Sequence, residues 1–256
     1  MKAILTGHRG FIGNRLLTRL NELGIYTYLV EAEDSYESME SMVKQCDVIF
    51  HVGAISDTTL QDCNKMLYFN YTLSKIIFDL ARKYDKKVVY SSSAANYGDG
   101  DGIPNNIYGW SKKLAEEYGL KACEKFVALR YFNVYGPGEE HKGKMASVAY
   151  QAWKAGKFKL FPGKIARDFV YVDDVVEANI IASKLDRGLF DVGTGTAESF
   201  QSVMEGMNIE FEYHDPKMIP NWYQYHTCAN VNLRLPGWTP KYDIKLGTKN
   251  YLEYLS

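Results

Sequence analysis

The opening residues do most to limit the fold. Lys2 to Thr6 is a short apolar run, and Gly7-His8-Arg9-Gly10-Phe11-Ile12-Gly13 follows it directly. From Phe11, apolar residues recur at helical spacing through Ile12, Leu16, Leu17 and Leu20 to Leu23, and Gly24 stops the pattern. A strand, a glycine turn and an amphipathic helix in that order begin a βαβ unit. The glycines stand at G-x-x-G-x-x-G spacing, and each has a physical task. Gly7 allows a tight turn, Gly10 lets the backbone approach an anionic ligand, and Gly13 lets the helix pack on the strand. The start of the helix then offers N–H groups and a partial positive charge to phosphate.

The pattern continues along the chain. Tyr26 to Val30 reads as a strand closed by Glu31, and Val48 to Val52 as another. Met66 to Tyr84 is a long amphipathic helix, Lys87 to Ser91 a strand, Tyr108 to Glu124 a helix and Phe126 to Tyr131 a strand. Alternating strands and helices imply a parallel sheet covered on both faces, with its ligand beyond the carboxyl ends of the strands. The fold class is α/β: a Rossmann-type doubly wound parallel sheet with a small, interleaved C-terminal substrate lobe. After Tyr135 the breaker Gly136-Pro137-Gly138 changes the rhythm. A helix from Met145 to Ala155, a strand from Phe169 to Val172, a helix from Asp173 to Leu185 and a strand from Leu189 to Val192 follow. Residues 1–135, with 168–193 returning, form the expected dinucleotide domain. Residues 136–167 and 194–256 form the expected lobe.

Composition excludes several functions. Thirty Lys and Arg against 31 Asp and Glu give a net charge of −1, so no overall field favours nucleic acid or membrane. No apolar run approaches the ~20 residues of a membrane span, and the N-terminus does not read as a signal peptide. Cys46, Cys63, Cys123 and Cys228 form no C-x-x-C pair. No metal site is expected from them, and scattered thiols suit a reducing, cytoplasmic setting.

Glu31 stands where an acid bonds the ribose 2′-hydroxyl and repels a 2′-phosphate, which favours NAD. Arg9 favours NADP, because a guanidinium pairs with a 2′-phosphate. Either charge also reads as a solvated surface group. Downstream, Tyr108 and Lys112 stand four apart at the start of a helix and share one face. An adjacent ammonium favours phenolate and lowers the tyrosine pKa, so the phenol can take a proton from a hydroxyl. Ser91-Ser92-Ser93 ends the preceding strand at the ligand edge, where a hydroxyl can bond the reacting oxygen. The bland reading is a polar strand end and an ordinary helix pair. The glycine turn, serine edge and Y-x-x-x-K together, in this order, outweigh it.

These motifs resemble the extended short-chain dehydrogenase/reductases. The blocks Arg130-Tyr-Phe-Asn-Val-Tyr-Gly-Pro137, Glu140-His-Lys-Gly143, Met145-Ala-Ser-Val-Ala149, Arg167-Asp-Phe-Val-Tyr-Val172 and Gly193-Thr-Gly-Thr-Ala-Glu-Ser-Phe-Gln201 resemble the ADP-L-glycero-D-manno-heptose 6-epimerases within them. The resemblance implies a nucleotide-sugar epimerase that passes hydride transiently to bound NAD(P). It implies Ser93, Tyr108 and Lys112 as the catalytic triad and Lys142 as a second acid/base. It places Gly7, Arg9, Gly10, Phe11, Ile12, Gly13, Glu31, Gly53, Ala54, Ile55, Ser56, Asn70 and Val134 at the cofactor. Asn133 and Lys144 face the sugar, and Phe161 to Lys164, Arg167 and Tyr223 hold the nucleotide diphosphate. NADP and a homo-oligomer belong to the same implication. Read without the resemblance, Lys142 sits in a charge cluster that suits a solvated face. The segment after Glu31 is shorter than in that family and lacks its lysines near the cofactor phosphate, and the chain is short at its C-terminal end.

Three rivals follow from the same residues. A 4,6-dehydratase needs an acid beside the serine, where this chain has Ala94-Ala95-Asn96. A 4-epimerase of another nucleotide sugar, such as a UDP-sugar, fits the same motifs. A non-enzymatic cofactor sensor has no need of an intact Tyr-Lys pair.

Overall fold

The computed structural model describes residues 1–219 and 224–256. In chain order the elements are β1 (Lys2–Thr6), α1 (Phe11–Glu22), β2 (Tyr26–Val30), α2 (Tyr36–Gln45), β3 (Val48–His51), α3 (Cys63–Leu67), α4 (Leu73–Lys83), β4 (Lys87–Ser93), α5 (Ile107–Ala122) and β5 (Phe126–Tyr131). Then come β6 (Asn133–Tyr135), α6 (Val148–Ala155), β7 (Lys157–Leu160), β8 (Ala166–Tyr171), α7 (Val172–Ala182), β9 (Arg187–Val192), β10 (Ala197–Ser199), α8 (Phe200–Gly206), β11 (Glu210–Tyr213) and α9 (Ile244–Leu255).

The chain divides into two units, Met1–Arg130 with Val176–Phe190, and Tyr131–Val175 with Asp191–Ser256. The first is built on a six-stranded sheet of order β2-β1-β3-β4-β5-β9. β1 pairs in parallel with both β2 and β3, and β3 with β4. The order reverses at β1 and β3, so their carboxyl ends part there and leave a crevice for a ligand. Four consecutive buried residues in β1 and four in β3 fit a sheet covered on both faces. α1 buries Phe11, Gly13, Leu16 and Leu20, one stripe of its surface. Burying each leucine contributes about 2 kcal/mol. Phe78, Tyr90 and Phe126 join Ile4 and Ile49 in this unit's core.

The helix expected from Met66 to Tyr84 is interrupted. Residues Tyr68–Thr72 form a π-helical turn between α3 and α4. Periodicity does not distinguish such a turn from α-helix. It sets Asn70 inward, fully buried, where its amide binds Ile55 at both N and O and reaches Ser111 Oγ at 3.0 Å. α2, absent from the sequence reading, is capped by Ser35, whose hydroxyl accepts from Ser38 N.

The second unit has a three-stranded sheet of order β10-β8-β6 and a two-stranded sheet of β11 and β7. β8 pairs with β6 and β10, so the returning segment expected at 168–193 is divided. Its strand at 166–171 stays in the second unit, and 176–190 lie in the first. The apolar run of β8 fits either sheet, which is why pattern alone did not place it. Tyr135, Tyr150, Phe169, Tyr171, Met204 and Tyr251 centre this unit's core. α8, β11 and α9 lie in residues 194–256, where the sequence pattern gave no element.

Asp168, fully buried, organises this unit. Its carboxylate accepts from Thr194 N at 2.7 Å, Thr194 Oγ1 at 2.8 Å, Gly195 N at 2.8 Å and Ala229 N at 3.0 Å. Asp168→Ala strands three backbone donors and is expected to lower stability by about 3 kcal/mol or more. A fall in the urea midpoint checks this.

Candidate active site

The glycine turn closes onto bare backbone. Gly7 has φ +70°, and a Cβ on it would lie 2.5 Å from Gly53 Cα. A Cβ on Gly13 would lie 2.0 Å from the Gly7 carbonyl oxygen. Gly13 thus lets α1 sit on the turn, and Gly7 and Gly53 let the ends of β1 and β3 meet. Gly10 caps α1 without a side-chain bond, and no acid stands in the first turn. That leaves the helix start electropositive for an anion.

Beside the turn lies a pocket. Thr6, Gly7, Gly53, Ala54 and Ile55 form its floor, and Val30, Glu31, Ala32 and Met39 form one wall. Phe69, Leu73 and Ile77 form another. The last three recur every four residues and read from sequence only as a core stripe. Asn70 stands behind this pocket and shapes the 53–55 turn through Ile55, while Ser56 is exposed just beyond it. Phe11 is buried at the start of α1, and Ile12 is half-buried next to it.

Glu31 lies at the pocket edge. Its Oε1 is 3.0 Å from His8 Nε2 and 3.1 Å from Arg9 Nε. The acid and the guanidinium that pull the cofactor reading in opposite directions are therefore paired with each other. A bare glycine floor, an apolar wall, an electropositive helix start and an acid at the rim fit a dinucleotide with its adenosine in the pocket.

A buried relay stiffens the floor. Gly53 N donates to Thr6 Oγ1 at 2.9 Å, and Thr6 Oγ1 lies 2.8 Å from His51 Nδ1. His51 Nε2 lies 2.7 Å from Ser74 Oγ, which itself donates to Asn70 O at 2.7 Å. His51 Nε2–H therefore donates to Ser74, and Nδ1 accepts from Thr6. Burial, helped by the Lys112 charge, pushes the His51 pKa down to about 3, so the imidazole is neutral. Sequence inspection missed His51, which sits in an ordinary apolar strand pattern.

Ser93, Tyr108 and Lys112 come together at the end of β4 and the start of α5. Asn106 caps α5 by accepting from Gly109 N at 2.8 Å. A Cβ on Gly109 would lie 2.8 Å from the Ala95 carbonyl oxygen, so glycine lets α5 press against the 94–97 turn. Ser93 Oγ accepts from Ala95 N at 3.1 Å, and its hydroxyl bonds the Tyr108 phenol. Lys112 is buried, with Nζ 4.5 Å from the centre of the Tyr90 ring.

The electrostatics differ from the sequence expectation. Burial raises the Tyr108 pKa, and the lowering influence on it is the Ser93 hydroxyl rather than Lys112. Burial also pushes Lys112 down to about 7, opposed by the Glu116 carboxylate. A motif shows which groups are adjacent but not how deeply they are buried, and here desolvation dominates.

The remaining expected residues lie in the second unit. Lys142 is half-buried in the 3₁₀ segment Glu140–Met145, and burial lowers its pKa against the pull of Glu139. Glu139, fully buried, accepts from Ser147 N at 2.5 Å and Ser147 Oγ at 2.6 Å and so ties down that segment. Asn133 is exposed and Val134 half-buried on β6, and Lys144 is exposed. Phe161 packs its ring 5.2 Å from that of His214. The Arg167 guanidinium donates to Ala166 O at 3.0 Å and to Gln224 O, and lies over the Phe200 ring. Tyr223 lies outside the described residues. No cluster of His, Cys, Asp or Glu able to hold a metal occurs among the described residues.

The fold and the glycine-floored pocket are those of a dinucleotide-dependent enzyme. The chain belongs to the NAD dependent epimerase/dehydratase family, whose model matches residues 3–193. It is 34% identical to the ADP-L-glycero-D-manno-heptose-6-epimerase of Brachyspira hyodysenteriae, with 98% of this chain and 97% of the relative covered. That alignment spans 308 positions against 256 residues, so the difference in length falls inside it and not at the C-terminal end. Among solved structures, the Helicobacter pylori ADP-L-glycero-D-manno-heptose-6-epimerase superposes with a TM-score of 0.84 at 28% identity, covering 99% of this chain and 96% of that one. The Thermotoga maritima UDP-glucose 4-epimerase, solved with UDP-glucose, gives 0.86 at 26% identity, covering 100% and 98%.

Proposed function

We propose that the protein is a nucleotide-sugar epimerase acting on an ADP-glycero-manno-heptose at C6. The similarity to the Brachyspira enzyme along nearly the whole chain carries this reading. The bonded Ser93–Tyr108 pair beside Lys112 supplies its chemistry.

Tyr108 Oη takes the proton from the sugar hydroxyl, and Ser93 Oγ holds the phenol in place. Lys112 in its protonated form stabilises the phenolate. The glycine turn and the start of α1 would hold a nicotinamide dinucleotide, which when bound would supply reversible hydride exchange at the carbon bearing that hydroxyl. Lys142, whose pKa burial lowers, is suited to exchange the second proton at the sugar oxygen. Arg167 offers a planar donor fork for the diphosphate.

The same proposal extends to cofactor choice, assembly and location. Glu31 at the rim selects NAD over NADP. Glu31→Ser removes the charge that repels a 2′-phosphate and frees Arg9. It is expected to shift the ratio of NAD to NADP affinities at least about tenfold toward NADP, as read by fluorescence titration of both cofactors. Trp110 and Leu114, one turn apart and exposed on α5, support a homo-oligomer, which light scattering tests. The four free cysteines suit the cytoplasm. Among the described residues no helix is long and apolar enough to cross a membrane.

A UDP-sugar 4-epimerase is the second reading, favoured by the TM-score of 0.86 to the Thermotoga enzyme. A panel of ADP-heptose, UDP-glucose and GDP-mannose separates the two. Epimerisation confined to ADP-heptose supports the first reading, and turnover of UDP-glucose alone overturns it.

A further inference from the structure

Glu116 has no part in the proton transfers above, yet it is a buried carboxylate, 2% exposed. It follows Lys112 by one turn of α5, so Tyr108, Lys112 and Glu116 form one stripe. Three other segments converge on it. Arg130 of β5 donates from Nη2 to Oε1 at 2.6 Å and from Nε to Oε2 at 3.0 Å. Ser92 of β4, next to Ser93, donates to Oε2 at 2.6 Å. Asn96 of the 94–97 turn donates to Oε2 at 3.1 Å and to Ser92 Oγ at 3.1 Å. The Arg130 guanidinium in turn lies 4.5 Å from the centre of the Tyr97 ring. Structural support alone does not need a charged pair here, because an apolar pair of similar volume often packs as well or better.

We infer that Glu116, fixed by Arg130, is a positioning residue for the reaction: it locks the Ser93 end of β4 to α5, and its charge holds the proton on Lys112. The first half rests on the shared bonds, since Ser92 and Asn96 bind the same carboxylate oxygen on either side of Ser93. The second rests on the stripe and on what surrounds Lys112. From β4 it faces the Tyr90 ring, and behind that ring lies the neutral His51 of β3, stacked at 5.7 Å. On its own helix, Tyr108 stands one turn before it and Glu116 one turn after it. Glu116 is the group that raises the Lys112 pKa against the pull of burial.

The inference rests on the reading of Tyr108 and Lys112 as the proton-transfer pair. Its test compares the wild type with Glu116→Gln and with the double variant Glu116→Gln/Arg130→Met. The double variant removes the Arg130 charge along with that of Glu116, so the guanidinium is not left buried without its carboxylate, and the test survives if the single variant fails to fold. The Lys112 side chain is followed against pH by NMR with ¹³C-labelled lysine, its signal assigned by loss in Lys112→Arg. In both variants its midpoint is expected to fall by about one unit. The alkaline limb of kcat should move down by a similar amount, so that near pH 8 kcat falls roughly tenfold while KM for the sugar changes far less. A folded double variant with the wild-type midpoint and the wild-type limb overturns the inference. Wild-type protein inactive on every nucleotide sugar overturns the proposed function instead, and the NMR midpoint still decides this one.

Discussion

Tyr108→Phe is expected to lower turnover by about a thousandfold while the dinucleotide stays bound. Removing a positioned general base costs 10²–10⁴ in rate, and the phenol is the only group lost. Tyr108 is half-buried at the start of α5 and is not among the residues that line the pocket beside the glycine turn. Cofactor affinity should therefore stay within about threefold of wild type, because mutations at separate sites act nearly independently. Steady-state turnover and a fluorescence titration with NAD check both halves. Turnover near the wild-type rate removes Tyr108 from the mechanism and revives the cofactor-sensor reading.

Gly13→Ala has the second large effect, and it strikes the fold and the cofactor together. The added methyl would stand 2.0 Å from the Gly7 carbonyl oxygen, a backbone atom that no rotamer change can move aside. α1 must then lift off the turn, at a cost of about 3 kcal/mol for overpacking. On the proposed reading the same turn and helix start hold the cofactor phosphates, so NAD affinity should fall at least about tenfold. The thermal midpoint and the NAD titration measure the two effects. Unchanged values in both would mean that α1 does not sit on the turn as described.

The parts of this site that were legible in the sequence are local. The glycine turn, Glu31 at the end of β2, Ser93 at the end of β4 and the Tyr108–Lys112 pair each lie within one strand end or helix turn, where spacing determines geometry. What was not legible depends on distant packing. The π-helical turn at Tyr68–Thr72 exists because Asn70 binds Ile55 and Ser111, and no spacing in its own segment signals that. The pocket wall of Phe69, Leu73 and Ile77 has the pattern of any helix packed on a core. The expectation that Lys112 lowers the Tyr108 pKa failed for the same reason, since burial, a property of the whole unit, outweighs the neighbouring charge. In the second unit, α8 and β11 are short, and α9 interrupts its apolar positions with Lys245, Lys249 and Glu253, so periodicity was weak there. The carboxylate of Asp168 ties that region together through bonds to residues 26 to 61 positions away.

On the proposed mechanism a hydride leaves one face of a sugar carbon and returns to the other without leaving the protein. Incubating ADP-glycero-manno-heptose with the purified holoprotein in deuterated water tests it most directly, with the epimer ratio and the label at C6 read by NMR. The expected result is a mixture of both C6 epimers with hydrogen, and no deuterium, on that carbon. Deuterium at C6, or a single unchanged epimer, would contradict it.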